Sequence, residues 1–364
     1  MKYLFKKWHA MFILALSGCM FASCDMMEQD NDDCPYGLYL TFKYDYNLQR
    51  ADMFNDHVGS VTLYVFDEDG KLVKTQEESN IGGVAPLRDK GYAMHVTDLA
   101  PGSYKFIALA GQKPYEDMLQ AGRAKFVRAD MPLGSDMTNL NVRLERAQVG
   151  ADMYDIVNNR QPLDTLWHGI EVKGFEVSAT HATYGEISLV RDTKHINVSL
   201  RELDDPTTMS INNYDIRITD RNSHILYDNS LDETATVVYT PYVTWDTEDS
   251  APAIGADGEQ LAGVGKIGHA DIMTSRILSH DNVADDGVLA ITNKLTGVQV
   301  ATLNLPDLLC QLRSFADRSY SKQEFLDRGY DYQVALFLRG DKLEYINISI
   351  SILGWSKRIQ LEEL

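Results

Sequence analysis

Four cysteines carry the plainest chemistry in this 364-residue chain: Cys19, Cys24, Cys34 and Cys310. A thiol can be acylated, oxidised to a disulfide or used as a ligand or nucleophile, and its surroundings decide which. The other reactive residue types show no working arrangement. The nine histidines are scattered, and HExxH, paired CxxC and Gly-x-Ser-x-Gly patterns are absent. Gly263-Val264-Gly265-Lys266-Ile267-Gly268 fits GxGxxG, but it follows the polar Asp257-Gly258-Glu259-Gln260 instead of a strand, so the βαβ frame of a dinucleotide site is missing. Asp67-Glu68-Asp69-Gly70 lacks EF-hand spacing and the distal Glu, and reads as a turn. With 53 Asp and Glu residues, a carboxylate pair says nothing about glycoside hydrolysis. Trp167, Trp245 and Trp355 could line a glycan site, although single tryptophans of β-sandwiches more often fill the core. No catalytic residue, metal site or cofactor is expected, and no enzyme.

The N-terminus assigns two of the cysteines. Lys2, Lys6 and Lys7 precede a mostly apolar stretch from Trp8 to Ala22, too short to span a bilayer with margin and without a stop-transfer pattern. Leu16-Ser17-Gly18-Cys19 and Phe21-Ala22-Ser23-Cys24 both set small residues before a cysteine, as bacterial lipoprotein signals do. There the cysteine becomes the mature N-terminus and carries the lipid. Cys19 has the more orthodox triplet. Cys24 is preferred because Asp25, Glu28, Asp30, Asp32 and Asp33 follow it directly, with Cys19 as the alternative. Residues 1–23 are thus read as signal and 24–34 as an acidic, solvated tether. Two or three acyl chains hold firmly to a membrane where one is marginal.

Removing 23 of 364 residues leaves 341, enough for two domains of ordinary size. The whole chain holds 34 basic and 53 acidic residues; the signal takes away three lysines and no acid, so the mature balance is 31 against 53, a net of −22. Such a surface repels nucleic acid and anionic lipid. Cys34 and Cys310 remain for an oxidising space, either as a disulfide or as two separate buried thiols. A bond between them would close a loop of more than 270 residues and contribute about 5 kcal/mol in the chain-entropy model.

Short alternating strands and turns fill the rest. Val61–Phe66, the Asp67–Gly70 turn and Lys71-Leu72-Val73 form a hairpin; Tyr92–Val96, Pro101-Gly102 and Ser103–Ala110 form another. The chain restarts near Thr183 with Glu186–Val190 and His195–Leu200. The expectation is an all-β protein of two antiparallel sandwiches, 35–183 and 184–364. Helices are expected near Tyr115–Arg123 and within Pro306–Ala316 or Lys322–Asp327. At the end, Ile346, Ile348, Ile350 and Ile352 alternate with Asn347, Ser349 and Ser351. This is either a half-buried strand of the second sandwich or an edge open to a partner strand, and both hold for an edge strand.

Several stretches resemble one family. Cys34-Pro35-Tyr36-Gly37-Leu38-Tyr39-Leu40-Thr41-Phe42-Lys43-Tyr44-Asp45-Tyr46-Asn47 is similar to the start of the fimbrillin-associated anchor lipoproteins of Bacteroidales-type (type V) fimbriae. Asp56-His57-Val58-Gly59-Ser60-Val61 through Gly70, Leu99–Tyr104 and Tyr345–Trp355 extend the likeness over essentially the whole mature chain. The resemblance implies two transthyretin-like β-sandwiches, a lipid anchor at the cell surface of the outer membrane, and a role in holding a fimbrial shaft there and limiting its growth. It implies that acids behind the lipidated cysteine serve export, and that the partner is a fimbrillin shaft subunit joined by strand exchange. Shaft subunits of this kind resemble precursors whose first strand is removed by a trypsin-like protease. Here no Lys or Arg lies between Cys24 and Lys43, so the first strand is expected to stay. The rival expectation is a surface lipoprotein that binds a glycan or host molecule and has no fimbrial partner. Asp164-Thr165-Leu166 and Asp249-Ser250-Ala251 resemble the short O-glycosylation motif of such bacteria.

Overall fold

The computed structural model describes residues 37–313, 319–352 and 355–362. Leu-Tyr-Leu-Thr-Phe-Lys alternates, and it forms β1 (Leu38–Lys43) with Leu38, Leu40 and Phe42 buried. This strand lies between β4 (Met94–Val96), antiparallel, and β11 (Thr183–Arg191), parallel. With β3 (Leu72–Ser79), β2 (Ser60–Phe66), β5 (Gly102–Gly111) and β10 (Trp167–Val177) they make a seven-stranded sheet in the order β3-β2-β5-β10-β11-β1-β4. The sheet curls until its edges meet: Lys74 Nζ and Gln76 Nε2 on β3 donate to the carbonyls of Thr97 and His95 at 2.6 and 3.0 Å. Leu40, Phe42, Leu63, Phe106, Trp167 and Ile187 fill its interior. The chains approach closely at Gly185, opposite Leu40, where a Cβ would stand 2.7 Å from the Phe175 ring and 2.8 Å from Leu40.

The other face of β2, with Tyr64 and Phe66, belongs to a larger core, so this strand is buried on both sides. That core lies between two six-stranded sheets. One is ordered β16 (Val243–Ile254), β17 (Gln260–Thr274), β12 (Lys194–Glu202), β20 (Asp331–Arg339), β21 (Lys342–Ile352), β22 (Trp355–Glu362). The other is β19 (Gln299–Asn304), β18 (Val288–Asn293), β13 (Tyr214–Asp220), β15 (Thr236–Tyr239), β9 (Met153–Asp155), β8 (Ala147–Gly150). A small sheet of β14 (His224–Leu226), β7 (Asn141–Leu144) and β6 (Phe126–Arg128) adds Ile225, Val142, Leu144 and Phe126 to the same core. The short helices α1 (Phe54–His57), α2 (Tyr115–Leu119), α3 (Leu305–Cys310) and α4 (Lys322–Arg328) complete an all-β fold of two sandwiches. Helix α4 starts on a serine N-cap, with Ser321 accepting from the Glu324 amide at 3.0 Å.

Two departures from the sequence reading follow from pairing. The strand at Thr183, read as opening the second domain, is β11 and stays in the first sheet; the second sandwich begins with β12 at Lys194. The first half also reaches into the second, since β7 pairs with β14 and β9 pairs in parallel with β15. Local alternation marks a strand and leaves its partner open, so neither crossing could be read from it.

The passage from β11 to β12 is a buried charged joint. Arg191, Asp192, Thr193 and Lys194 are all buried there. Lys194 Nζ donates to the carbonyls of Arg191, Asp327 and Gly329 at 3.0, 3.0 and 2.9 Å. The Arg191 guanidinium lies 4.2 Å above the Tyr330 ring and 5.7 Å from that of Trp167. Arg276 grips both Asp327 carboxylate oxygens at 2.8 Å and also donates to the Asn229 carbonyl. Burial pushes the Asp192 carboxyl up and the Lys194 ammonium down from their ordinary values.

Candidate functional site

Three places could bear function: the first strand, the last strands, and the outer face of the second sandwich. At the first, the ladder of β1 with β11 runs through six register pairs from Leu38–Thr183 to Lys43–Ser188. Its exposed side is cross-linked by side chains. Tyr39 stacks between His95 and Tyr184, with centroids at 4.3 and 5.4 Å, and Lys43 Nζ meets Glu186 at 2.6 Å. Lys43 is thus held in the sheet, and Arg50 lies over the Tyr320 ring at 5.4 Å. Cys19, Cys24 and Cys34, with the signal and tether, lie outside the described residues.

Of the two alternatives for the remaining cysteines, Cys310 takes that of a buried thiol, and Cys34 lies outside the described residues. Cys310 is a free thiol, buried at the end of α3, and its Sγ points to the Lys322 carbonyl at 3.7 Å. Packing between α3 and α4 engages it, and burial raises its pKa to about 12. The isoleucine strand is also not an edge. β21 has β20 on one side and β22 on the other, and Ile346, Ile348 and Ile350 point into the core. The side chain of Ile352, like that of Trp355, lies outside the described residues. The edge is β22.

The GxGxxG run falls inside β17, paired with β16 and with no helix after it. Thr165 is 4% exposed, which closes the Asp164–Leu166 glycosylation motif, whereas Ser250 is open on β16. Trp167 is core, as expected for a lone tryptophan, and Trp245 is 37% exposed. It stacks on His269 at 5.0 Å with 13° between the planes. Sequence reading passed over what lies beside this plate. The polar positions of β17, β12, β20 and β21 line a depression of about 570 Å³ on the outer face. Their signal was the alternation in His195-Ile196-Asn197-Val198-Ser199-Leu200 and in Asn347-Ile348-Ser349.

One end of this depression is a charged network. His195 bridges Asp331 at 2.7 Å and Asp271 at 3.4 Å, while Asn197 donates to Asp271 at 2.6 Å. Burial alone would lower the imidazole pKa, but the hydrogen bonds and charges of Asp271 and Asp331 outweigh it and lift it to about 9. His195 is therefore a cation at neutral pH. A folded-state value above the unfolded one near 6.5 stabilises fully below that pH, and the contribution is lost as pH rises through about 9. The stability difference between the native protein and His195→Gln, followed by urea titration, should be on the order of 2 kcal/mol at pH 6 and vanish by pH 10. A constant difference would mean that His195 is neutral in the network.

Solved structures share the whole architecture. A candidate adhesin from Bacteroides thetaiotaomicron VPI-5482 is 27% identical, with 90% of this chain and 98% of that one covered at a TM-score of 0.70. A protein of the same organism described as a candidate polysaccharide-binding protein is 29% identical, covering 90% and 99% at 0.66. The class the fold defines is the all-β, two-sandwich architecture of these solved structures. Within it, the chain belongs to the fimbrillin-A associated anchor proteins Mfa1 and Mfa2, whose profile matches residues 31–361. The Minor fimbrium anchoring subunit Mfa2 of Porphyromonas gingivalis is 25% identical over 236 residues. That alignment takes in 62% of this chain and 63% of the relative, under two thirds of its length.

Proposed function

We propose that this protein is the lipid-tethered base of a surface fibre in the outer membrane: acylated at Cys24, joined to a fimbrillin shaft subunit by strand exchange, and limiting the length of the fibre. The observation that carries this reading is β1. It sits between two partners in a completed sheet, and no basic residue separates it from Cys24. A strand that a trypsin-like protease cannot release keeps the body covalently tied to the acyl chains. A filled sheet also offers no groove to a further subunit, so growth stops there. The contact with the shaft must then use a strand that this protein presents, and the edge strand β22 is the one we assign to it.

The test is a chain ending at Ile352. It should fold, because β21 keeps its pairing with β20, and it should fail to co-purify with fimbrillin. Unchanged co-purification would place the contact elsewhere. A second reading, capture of a glycan at the cell surface, is favoured by the exposed Trp245–His269 plate beside a polar depression and by the relative described as polysaccharide-binding.

A further inference from the structure

The depression has an internal order that follows from strand register. One row of outward positions crosses five strands: Trp245, His269, Ser199, Ala335 and Asn347. Four inter-strand steps span about 19 Å. Large aromatic groups stand at one end, and the middle holds a hydroxymethyl and a methyl group. The small pair between bulkier neighbours is what makes a trench. On one flank the next row brings Asp271, Asn197, Gln333 and Ser349, already oriented by their own hydrogen bonds, with Asn197 on Asp271 at 2.6 Å and Ser349 on Gln333 at 3.1 Å. The other flank is Phe337, stacked on Tyr345 at 4.2 Å.

At the far end Asn347 is 4% exposed and lines the trench. Its amide carries two donors and an acceptor. Here they face the depression, where a ligand can satisfy them.

We propose that this trench binds a neutral glycan chain, one end stacked on Trp245 and the other hydrogen-bonded by Asn347. This rests on the glycan reading above and gives it a site and a ligand class. The chemistry excludes the alternatives in turn. An extended peptide needs unpaired backbone at a sheet edge, and β17, β12, β20 and β21, which form the floor of the trench beyond Trp245, are each paired on both sides. An anionic polymer meets Asp271 and Asp331, whose one cation, His195, is already shared between them. A neutral polyol suits what remains: flat aromatic surface, hydroxyl-sized gaps and fixed amide and carboxylate acceptors.

The experiment is native affinity electrophoresis of the mature chain in gels containing α-mannan, β-glucan or xylan. At least one polysaccharide should retard it. Trp245→Ala should weaken retardation by at least about tenfold. Ala335→Phe, which fills the trench without opening the core, should abolish it. Asn347→Ala should weaken it about fivefold, with the fold checked by its melting temperature. Retardation that is equal in all three variants would overturn the trench as the site and leave the glycan reading standing. No retardation of the native chain by any of the three polysaccharides would overturn both.

Discussion

Pulled between its two ends, the protein should yield at a force several-fold higher than when it is pulled across the β16–β17 hairpin. The geometry of β1 and β11 sets this result. The strands run parallel, and a pull on the N-terminal end draws β1 toward its own N-terminus. Force on the second sandwich leaves β11 through its C-terminal end, at the joint before Lys194. The two strands are thus pulled in opposite directions along a shared ladder, and six register pairs are sheared together. In a hairpin opened from its ends the pairs separate one after another, and each resists alone with a net hydrogen-bond worth of about 1 kcal/mol. The side-chain links of Tyr39 with Tyr184 and Lys43 with Glu186 add to the shear resistance. Gly185→Val tests the assignment. Its side chain would wedge against Phe175 and Leu40, cost about 1–3 kcal/mol, and lower the end-to-end force. The force for a pull confined to the second sandwich should stay the same. Equal forces in the two directions would show that β1–β11 is not where tension is resisted.

The second large effect is expected at the joint. Asp327→Ala should destabilise the protein by about 3–5 kcal/mol, because it leaves the Arg276 guanidinium buried without its counter-charge. The two side chains are 15% and 8% exposed, so water cannot replace the lost partner. Asp327 also accepts from Gln323 at 3.0 Å, and its backbone carbonyl holds Lys194. Urea unfolding should show a lower midpoint with an unchanged slope. A loss below about 1 kcal/mol would place this pair with surface ion pairs. The joint carries the force path from the first sandwich to the second, so the same variant should also weaken the end-to-end pull.

Much of this was legible in the residues, and the gaps have a common cause. The first strand expected after Cys34 is β1, the Asp67–Gly70 turn gave the β2–β3 hairpin, and helix formed at both of the alternative places between 305 and 328. Strand partners were not legible. Nothing local in Met153–Asp155 points to β15, and nothing in Thr183–Arg191 points to β1, more than 130 positions earlier. The isoleucine strand was correctly read as one with an apolar face, but whether it lies at an edge depends on β22, which pairs with it. The trench was present as separate polar alternations in β12 and β21. It becomes a site only when register sets Ser199 and Ala335 between Trp245 and Asn347. Cys310 took the buried-thiol alternative, since compartment rules leave the pairing open and packing decides whether a thiol is available.

Anchoring of a fibre to the cell by the acylated N-terminus is tested most directly by Cys24→Ala in the native strain. Fimbrillin should move from cells to the medium, with this protein still on the released fibres. If Cys24→Ala alone leaves fibres on the cell, the Cys19,Cys24 double replacement decides between a lipid at Cys19 and no anchoring role. Release in the double variant supports the anchor. Fibres retained on cells that lack both cysteines would contradict it.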